Sequence, residues 1–252
     1  MNFKSFSFHP QINAGISRVG YDTPTQIQSS AIPPIMAGSD VLGLAQTGTG
    51  KTAAFVLPML QHLMNGPRGK LRALILAPTR ELAEQTHVAI KELGANTGLR
   101  SMSIYGGVST KGQISRLRKG VDMVVACPGR LLDLKNQGAV DLRNIEILVL
   151  DEADHMFDMG FLPDIRRIIS AIPQKRQTLL FSATMPGKIL DLATKIMDQP
   201  VTVEIDIAKP IEAIDHAIFP VDQTQKLDML LYLLDKHRSN QVLVFTRTKR
   251  RA

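Results

Sequence analysis

Two short stretches hold residue types whose spacing suits phosphate chemistry. AQTGTGKT at 45–52 follows the apolar run VLGLA and precedes a helical pattern opening at Ala53. Glycines at 48 and 50 let backbone N–H groups curl round a phosphate, Lys51 reaches the outer phosphates, and Thr52 offers its hydroxyl to Mg²⁺. Ala45 stands where the usual pattern has its first glycine, but the strand before and the helix after are the context in which such a loop binds a nucleotide. DEAD at 151–154 follows the run ILVL. An acid at the end of a buried strand is placed to hold Mg²⁺ through water, and the adjacent Glu152 to polarise an attacking water. Acid-rich tetrapeptides are also common at solvated helix starts, where carboxylates suit the dipole. The phosphate loop upstream is what favours catalysis.

These residues need a frame that brings distant loops together. Strand-length apolar runs begin at Val41, Ala73, Ser101, Met123, Ile147, Thr178, Val201 and Val242. Between most of them lie stretches with apolar residues three and four apart, such as RELAEQTHVAIKELG, GRLLDLKNQG, IRRIISAI and GKILDLATKI. Strands apolar throughout, alternating with amphipathic helices, imply an α/β fold with a parallel sheet covered by helices on both faces. Ligands bind such sheets beyond the carboxyl ends of the strands. The same edge therefore receives PTREL at 78–82, YGG at 105–107, PGR at 128–130 and SAT at 182–184. Each alone is an ordinary turn or helix cap. Together, Arg80, Arg130 and the glycine pairs could line a second polyanion track.

Bulk properties agree with that frame. A length of 252 residues allows one large domain, or one plus part of another. Thirty lysines and arginines against 23 acids suit a polyanionic partner, though many basic enzymes have none. The single cysteine, Cys127, excludes an internal disulfide framework and reads as a small buried residue. MNFKSFSFHPQI lacks the apolar core of a signal peptide, and no apolar run approaches the roughly 20 residues that span a bilayer, so a cytoplasmic protein without a membrane partner is expected. No tryptophan and three tyrosines leave few rings for stacking bases, which favours a sequence-tolerant grip on a nucleic-acid backbone.

The set AQTGTGKT, PTREL, GG, PGR, DEAD and SAT, in this order, resembles the first half of a DEAD-box ATP-dependent RNA helicase over essentially the whole chain. VLVFTRTK further resembles a bacterial subgroup called RhlE-like. The resemblance implies a RecA-like P-loop NTPase domain using ATP or ADP with Mg²⁺, and RNA as partner, in a setting of ribosome assembly or RNA decay. GYDTPTQIQ at 20–28, with Phe3 upstream, resembles the family's adenine-recognition element. Gln28 would then read the adenine edge, with Phe3 or Tyr21 packing beside the base. Ala45, Gln46, Thr47, Gly48, Thr49, Gly50, Lys51 and Thr52 would surround the phosphates, with Thr52 and Asp151 serving the metal. Glu152 would activate water, and Asp154 would hydrogen-bond with Ser182 and Thr184 to link hydrolysis to strand separation. Thr79, Arg80, Gly107, Gln113, Arg116, Gly129 and Arg130 would face the RNA sugar-phosphate backbone. Cys127 departs from the family, which usually has threonine before PGR.

By the same resemblance, 1–205 form the N-terminal ATP-binding domain, 206–214 an interdomain linker, and 215–252 the beginning of a second RecA-like domain: its opening strand, helix and strand. The motifs that supply arginine fingers are expected in the rest of that second domain, so this chain should bind nucleotide but turn it over poorly with RNA. Residues 211–252 should be loosely held, or pair with the first domain or a neighbouring molecule. Two other readings remain: a DNA-directed translocase on the same scaffold, and a non-catalytic RNA-binding protein that keeps its nucleotide. Gln28 and the DEAD spelling argue against the first, and intact Lys51, Asp151 and Glu152 against the second.

Overall fold

The computed structural model describes residues 2–205, 217–237, 241–246 and 248. The chain divides into two compact units, Met1–Ile207 and Ala208–Ala252. In the first, a short 3-10 turn (Phe3–Phe6) and helices α1 (Pro10–Arg18) and α2 (Gln26–Met36) precede a regular alternation. It runs β1 (Val41–Leu44), α3 (Lys51–Leu63), β2 (Ala73–Leu76), α4 (Arg80–Leu93), β3 (Ser101–Ile104), α5 (Thr110–Arg118), β4 (Met123–Ala126), α6 (Pro128–Asn136), β5 (Ile147–Leu150), α7 (Ala153–Asp158), α8 (Leu162–Ile169), β6 (Gln177–Ser182), α9 (Gly187–Ile196) and β7 (Val201–Glu204).

The strands form one seven-stranded sheet in the order β3-β4-β2-β5-β6-β1-β7, and its pairs are parallel. Continuous apolarity in β2, β4 and β5 follows from burial on both faces. Ala73 and Ile75 face a core with Phe55 and Phe181 that draws on α1 to α4, while Leu74 and Leu76 face a second core built with α6 to α9. At the sheet's lower edge the buried Asp40 ties three elements together. Its carboxylate accepts the N–H of Thr178 at 2.7 Å and that of Asp198 at 2.8 Å.

In the second unit, α10 (Lys226–His237) buries none of its side chains. Leu227, Leu231 and Tyr232 are each more than half exposed. The eighth apolar run is not a strand: 241–246 carry no sheet pairing, and Leu243 and Phe245 are 78% and 88% exposed. Nor do 217–222 form the expected opening strand. A strand needs a neighbour for its alternating N–H and C=O groups, and the described residues of this unit offer none. The expected linker, 206–214, lies outside the described residues. Among those described, no helix is long and apolar enough to cross a membrane.

Candidate functional site

The strand order sorts the chemistry-bearing loops into two neighbouring groups. β5, β6 and β1 lie side by side and lead into DEAD, SAT and the phosphate loop; β3, β4 and β2 lead into YGG, PGR and PTREL. The seam between the groups is the β2–β5 ladder, which continues past the strand ends as Asp151 N–H donates to Leu76 O at 3.0 Å.

The phosphate loop leads directly into α3, whose first N–H groups have no partner within the helix. Gly48 and Gly50 take the left-handed backbone at φ +87° and +97°. Open space lies where a Cβ at Gly48 would stand, whereas one at Gly50 would come within 2.5 Å of the Gln28 amide nitrogen. Lys51 is buried, with Nζ donating, among the described residues, only to Ala45 O at 2.8 Å. A phosphate would exchange that neutral acceptor for a charged one, a stronger partner for an ammonium. The cradle thus fits a phosphate chain, and the Asp151 carboxylate with the half-buried Thr52 hydroxyl are oxygen donors suited to Mg²⁺.

Gln28 is engaged with the protein itself. Its Oε1 accepts Thr25 N–H at 2.9 Å, and its Nε2 donates to Gly50 O at 3.1 Å. The spacing of Thr25 and Gln28 is that of a capping box, so this residue starts α2 and fastens it to the phosphate loop. An adenine edge would have to share or replace these bonds. Phe3 lies buried beneath Tyr21, ring centroids 6.0 Å apart and 22° between planes, so Tyr21 presents the accessible ring.

Asp151 is buried, and burial pushes its carboxyl up to about 7; Lys51 pulls it down, Glu152 and Asp154 push it further up. Glu152 adopts a left-handed backbone (φ 51°, ψ 54°), a conformation that costs a non-glycine residue about 1–2 kcal/mol. Its Oε1 accepts the Thr47 hydroxyl at 3.3 Å, and its Oε2 lies 3.6 Å from His155 Nδ1. Asp154 joins the loops after β5 and β6. Its N–H donates to Ser182 Oγ at 3.2 Å, while Oδ2 accepts the Thr184 hydroxyl at 3.0 Å and N–H at 2.9 Å, and the Ala183 N–H at 3.2 Å. Burial alone would raise this carboxyl, but the bonds from Thr184 and Ser182 more than reverse that and leave it below the ordinary aspartate value.

On the other side of the seam, the Thr79 hydroxyl caps α4 by accepting Leu82 N–H at 3.3 Å. The Arg80 guanidinium lies 5.0 Å over the Tyr105 ring, an attraction of about 0.5–1 kcal/mol at an exposed site. Tyr105 O accepts Gln113 Nε2 at 3.1 Å, and Gln113 Oε1 accepts Arg130 Nη1 at 3.3 Å, which also donates to Val108 O at 3.0 Å. Arg80, Gln113 and Arg130 therefore meet around Tyr105. Gly107 and Gly129 leave open space beside the backbone. Arg116 does not join them; it is exposed and lines a groove with His87 and Lys91. The sequence reading assigns Tyr105 no role, although an aromatic directly ahead of a glycine pair at a strand end is a visible signal. Cys127 is half-buried, and burial pushes its thiol up to about 11.

The DEAD/DEAH box helicase family matches residues 25–192. Similar relatives include the DEAD-box ATP-dependent RNA helicase CshA of Streptococcus pneumoniae, 44% identical over all of this chain and 48% of the relative. The ATP-dependent RNA helicase RhlB of Xanthomonas oryzae is 43% identical over 99% of this chain and 45% of its own length. The chain thus spans about half the length of the curated relatives it matches. A crystal structure of a DEAD box protein from Methanococcus jannaschii superposes with a TM-score of 0.77 at 38% identity, covering 99% of this chain and 67% of that one. The likeness extends through the sheet, and the family match spans both groups of loops on its carboxyl edge; the chain belongs to the DEAD/DEAH box helicase family.

Proposed function

We propose that the protein is an ATP-dependent RNA helicase, with 1–205 as its nucleotide-binding domain, 206–214 as linker and 215–252 as the beginning of a second RecA-like domain. The observation that carries this reading is the meeting of phosphate loop and acids: Thr47 bonded to Glu152, and Asp151 within the field of Lys51. Lys51 and the loop N–H groups hold the outer phosphates. Asp151 and Thr52 hold Mg²⁺, partly through water, and the cation supplies charge neutralisation to the phosphoryl oxygens. Glu152 orients the attacking water and accepts its proton as the bond from the γ-phosphorus to the bridging oxygen breaks. Gln28 reads the adenine edge, beside Tyr21 and Phe3.

Thr79, Arg80, Gly107, Gln113, Arg116, Gly129 and Arg130 hold RNA through phosphate and sugar, contacts that carry no base identity. Asp154 transmits nucleotide state to the loop holding Ser182 and Thr184. In a complete two-domain protein, closure round ATP bends one bound strand so that a duplex cannot persist. An RhlE-like bacterial helicase in the cytoplasm, serving ribosome assembly or RNA decay, is the finer form of the proposal; VLVFTRTK supports the subgroup, while the relatives named CshA and RhlB support an RNA helicase without naming that subgroup.

An arginine finger is worth roughly 10³ to 10⁵ in rate in related phosphoryl transfer. These 252 residues alone are therefore expected to bind Mg-ATP and ADP with RNA-stimulated turnover far below that of the two-domain relatives. A coupled ATPase assay with RNA or DNA, alongside ADP titration of wild type and Lys51→Ala, tests the reading. Loss of ADP binding in Lys51→Ala is expected. Equal binding of GDP, stimulation by DNA alone, or turnover matching a complete helicase would count against it.

A further inference from the structure

Edge strand β3 lies between α4, which packs into one core, and α5, which packs against the other. Beside it runs a groove of about 770 Å³, into which Lys91, Arg100, Arg116 and Lys119 project without a carboxylate among the lining residues. Arg100 Nη1 donates to the backbone O of Lys119 at 2.9 Å, which anchors the Arg100 guanidinium at the carboxyl end of α5. Two acids stand behind the lining: the buried Asp122, whose carboxylate accepts the backbone N–H groups of Arg100 at 2.7 Å and Gly69 at 2.6 Å, and Glu84, 3.9 Å from His87 Nδ1. The stretch TKGQISRLRKG at 110–120 carries Lys111, Arg116, Arg118 and Lys119 and no acid at all. Surface charges ordinarily alternate in sign, so a concave one-sign cluster concentrates field lines and attracts a polyanion.

The edge itself is poorly open to a peptide strand. Arg100 O and Ile104 O bond to β4, so the alternate residues Ser101, Ser103 and Tyr105 point their carbonyls outward. His87 Nε2 stands 3.3 Å from the first, Gln113 Nε2 donates to the last, and Ser103 between them is buried. A strand adding here would find the two end acceptors taken and the middle residue covered. A nucleic-acid backbone needs the cations and leaves those carbonyls alone.

We infer that this groove binds the sugar-phosphate backbone of a single RNA strand, continuing the track of Arg80, Gln113 and Arg130 along α5 and down the edge of the sheet. The inference rests on the RNA reading of that track and deepens it, because Arg116 becomes the residue at which the strand turns from the loops onto the edge. No Phe, Tyr or Trp lines the groove, and its one ring, His87, is held against Ser101 O, so it grips without stacking bases.

The test is RNA binding by the 252-residue chain, read by fluorescence anisotropy over a range of salt. One RNA is of roughly six nucleotides, enough for the strand-end loops only, and the other of about twenty. The variants are Lys91→Gln/Lys119→Gln, Arg130→Ala, and Lys175→Gln/Lys188→Gln as a control that removes equal charge elsewhere. The groove pair is expected to weaken only the long RNA and to flatten its salt dependence by about 0.7 per lost phosphate contact, so about 1.4 for the pair. Arg130→Ala is expected to weaken both RNAs. Equal loss on both lengths in the groove pair, a loss matched by the control, or no loss would overturn the groove. Loss of poly-glutamate binding in the groove pair with long RNA unaffected would overturn it in favour of an acidic protein. If Arg130→Ala affects neither length, the strand-end track is wrong while the length-dependent result still decides the groove; if neither RNA binds, both fall.

Discussion

Replacing Asp151 by asparagine should make the ligand-free protein more stable, and the gain should depend on pH. An aspartate ordinarily ionises near 3.8, and burial holds Asp151 up to about 7. At about 1.4 kcal/mol per tenfold change, the ionised carboxylate at pH 8 disfavours the folded chain by on the order of 4 kcal/mol. That figure already includes the help of Lys51, whose attraction lowers the value. Because the folded value is raised, the folded chain holds an extra proton between about pH 4 and 7; the contribution is complete below that window and is lost as pH rises through 7. Asparagine is neutral at every pH and keeps the N–H bond to Leu76 O. Urea unfolding followed by far-UV circular dichroism suits a chain without tryptophan. Asp151→Asn should exceed wild type by about 2–4 kcal/mol at pH 8 and by less than about 2 kcal/mol at pH 5. Excess Mg-ATP should narrow the pH 8 gap, because only the wild type keeps the charged ligand for the cation. A gap that ignores pH, or a variant less stable at pH 8, would refute the claim that a desolvated charge is held here for a cation.

Asp40→Ala leaves the Thr178 and Asp198 N–H groups without their acceptor, and at about 1–3 kcal/mol each should lower unfolding stability by about 2–6 kcal/mol, with Asp40→Asn less severe. Gly50→Ala forces a Cβ against the Gln28 amide at a left-handed backbone and should weaken ADP binding about tenfold or more by calorimetry, with unchanged helical content. Burial holds His87 below the ordinary imidazole value, against the raising influence of Glu84 and with Lys91 and Arg116 adding to the depression. The unfolded chain then takes the proton first, so stability should fall as pH drops below about 6.5, and His87→Gln should flatten that part of the pH profile.

Much of this was legible because a doubly covered parallel sheet writes itself as unbroken apolar runs, and because ligand loops must follow their carboxyl ends. What escaped depends on partners far along the chain. Asp40 looks like a lone turn residue, since the N–H groups it accepts come from 138 and 158 residues away. Gln28 carries a readable capping-box spacing, yet its second bond reaches Gly50, which no local pattern reveals. Gln113 and Arg116 sit three apart on α5, and only the placement of Tyr105 and Arg130 decides that one is drawn into the loops while the other stays at the edge. The run at 242–245 has strand composition but no partner among the described residues, and composition alone does not make a ladder.

The seam between β2 and β5 also bears on how such a protein can change over time. Loops after β3, β4 and β2 can be exchanged without disturbing those after β5, β6 and β1, since each sits on its own strand and the groups share one border. Under the proposed function, this arrangement lets a polymer grip be retargeted while the fuel chemistry stays in place. The border itself has no such freedom: slipping β2 against β5 by one residue would turn Leu74 and Leu76 to the opposite core and break the bond between Leu76 and Asp151 at once, so substitution there is confined to side chains that keep the register.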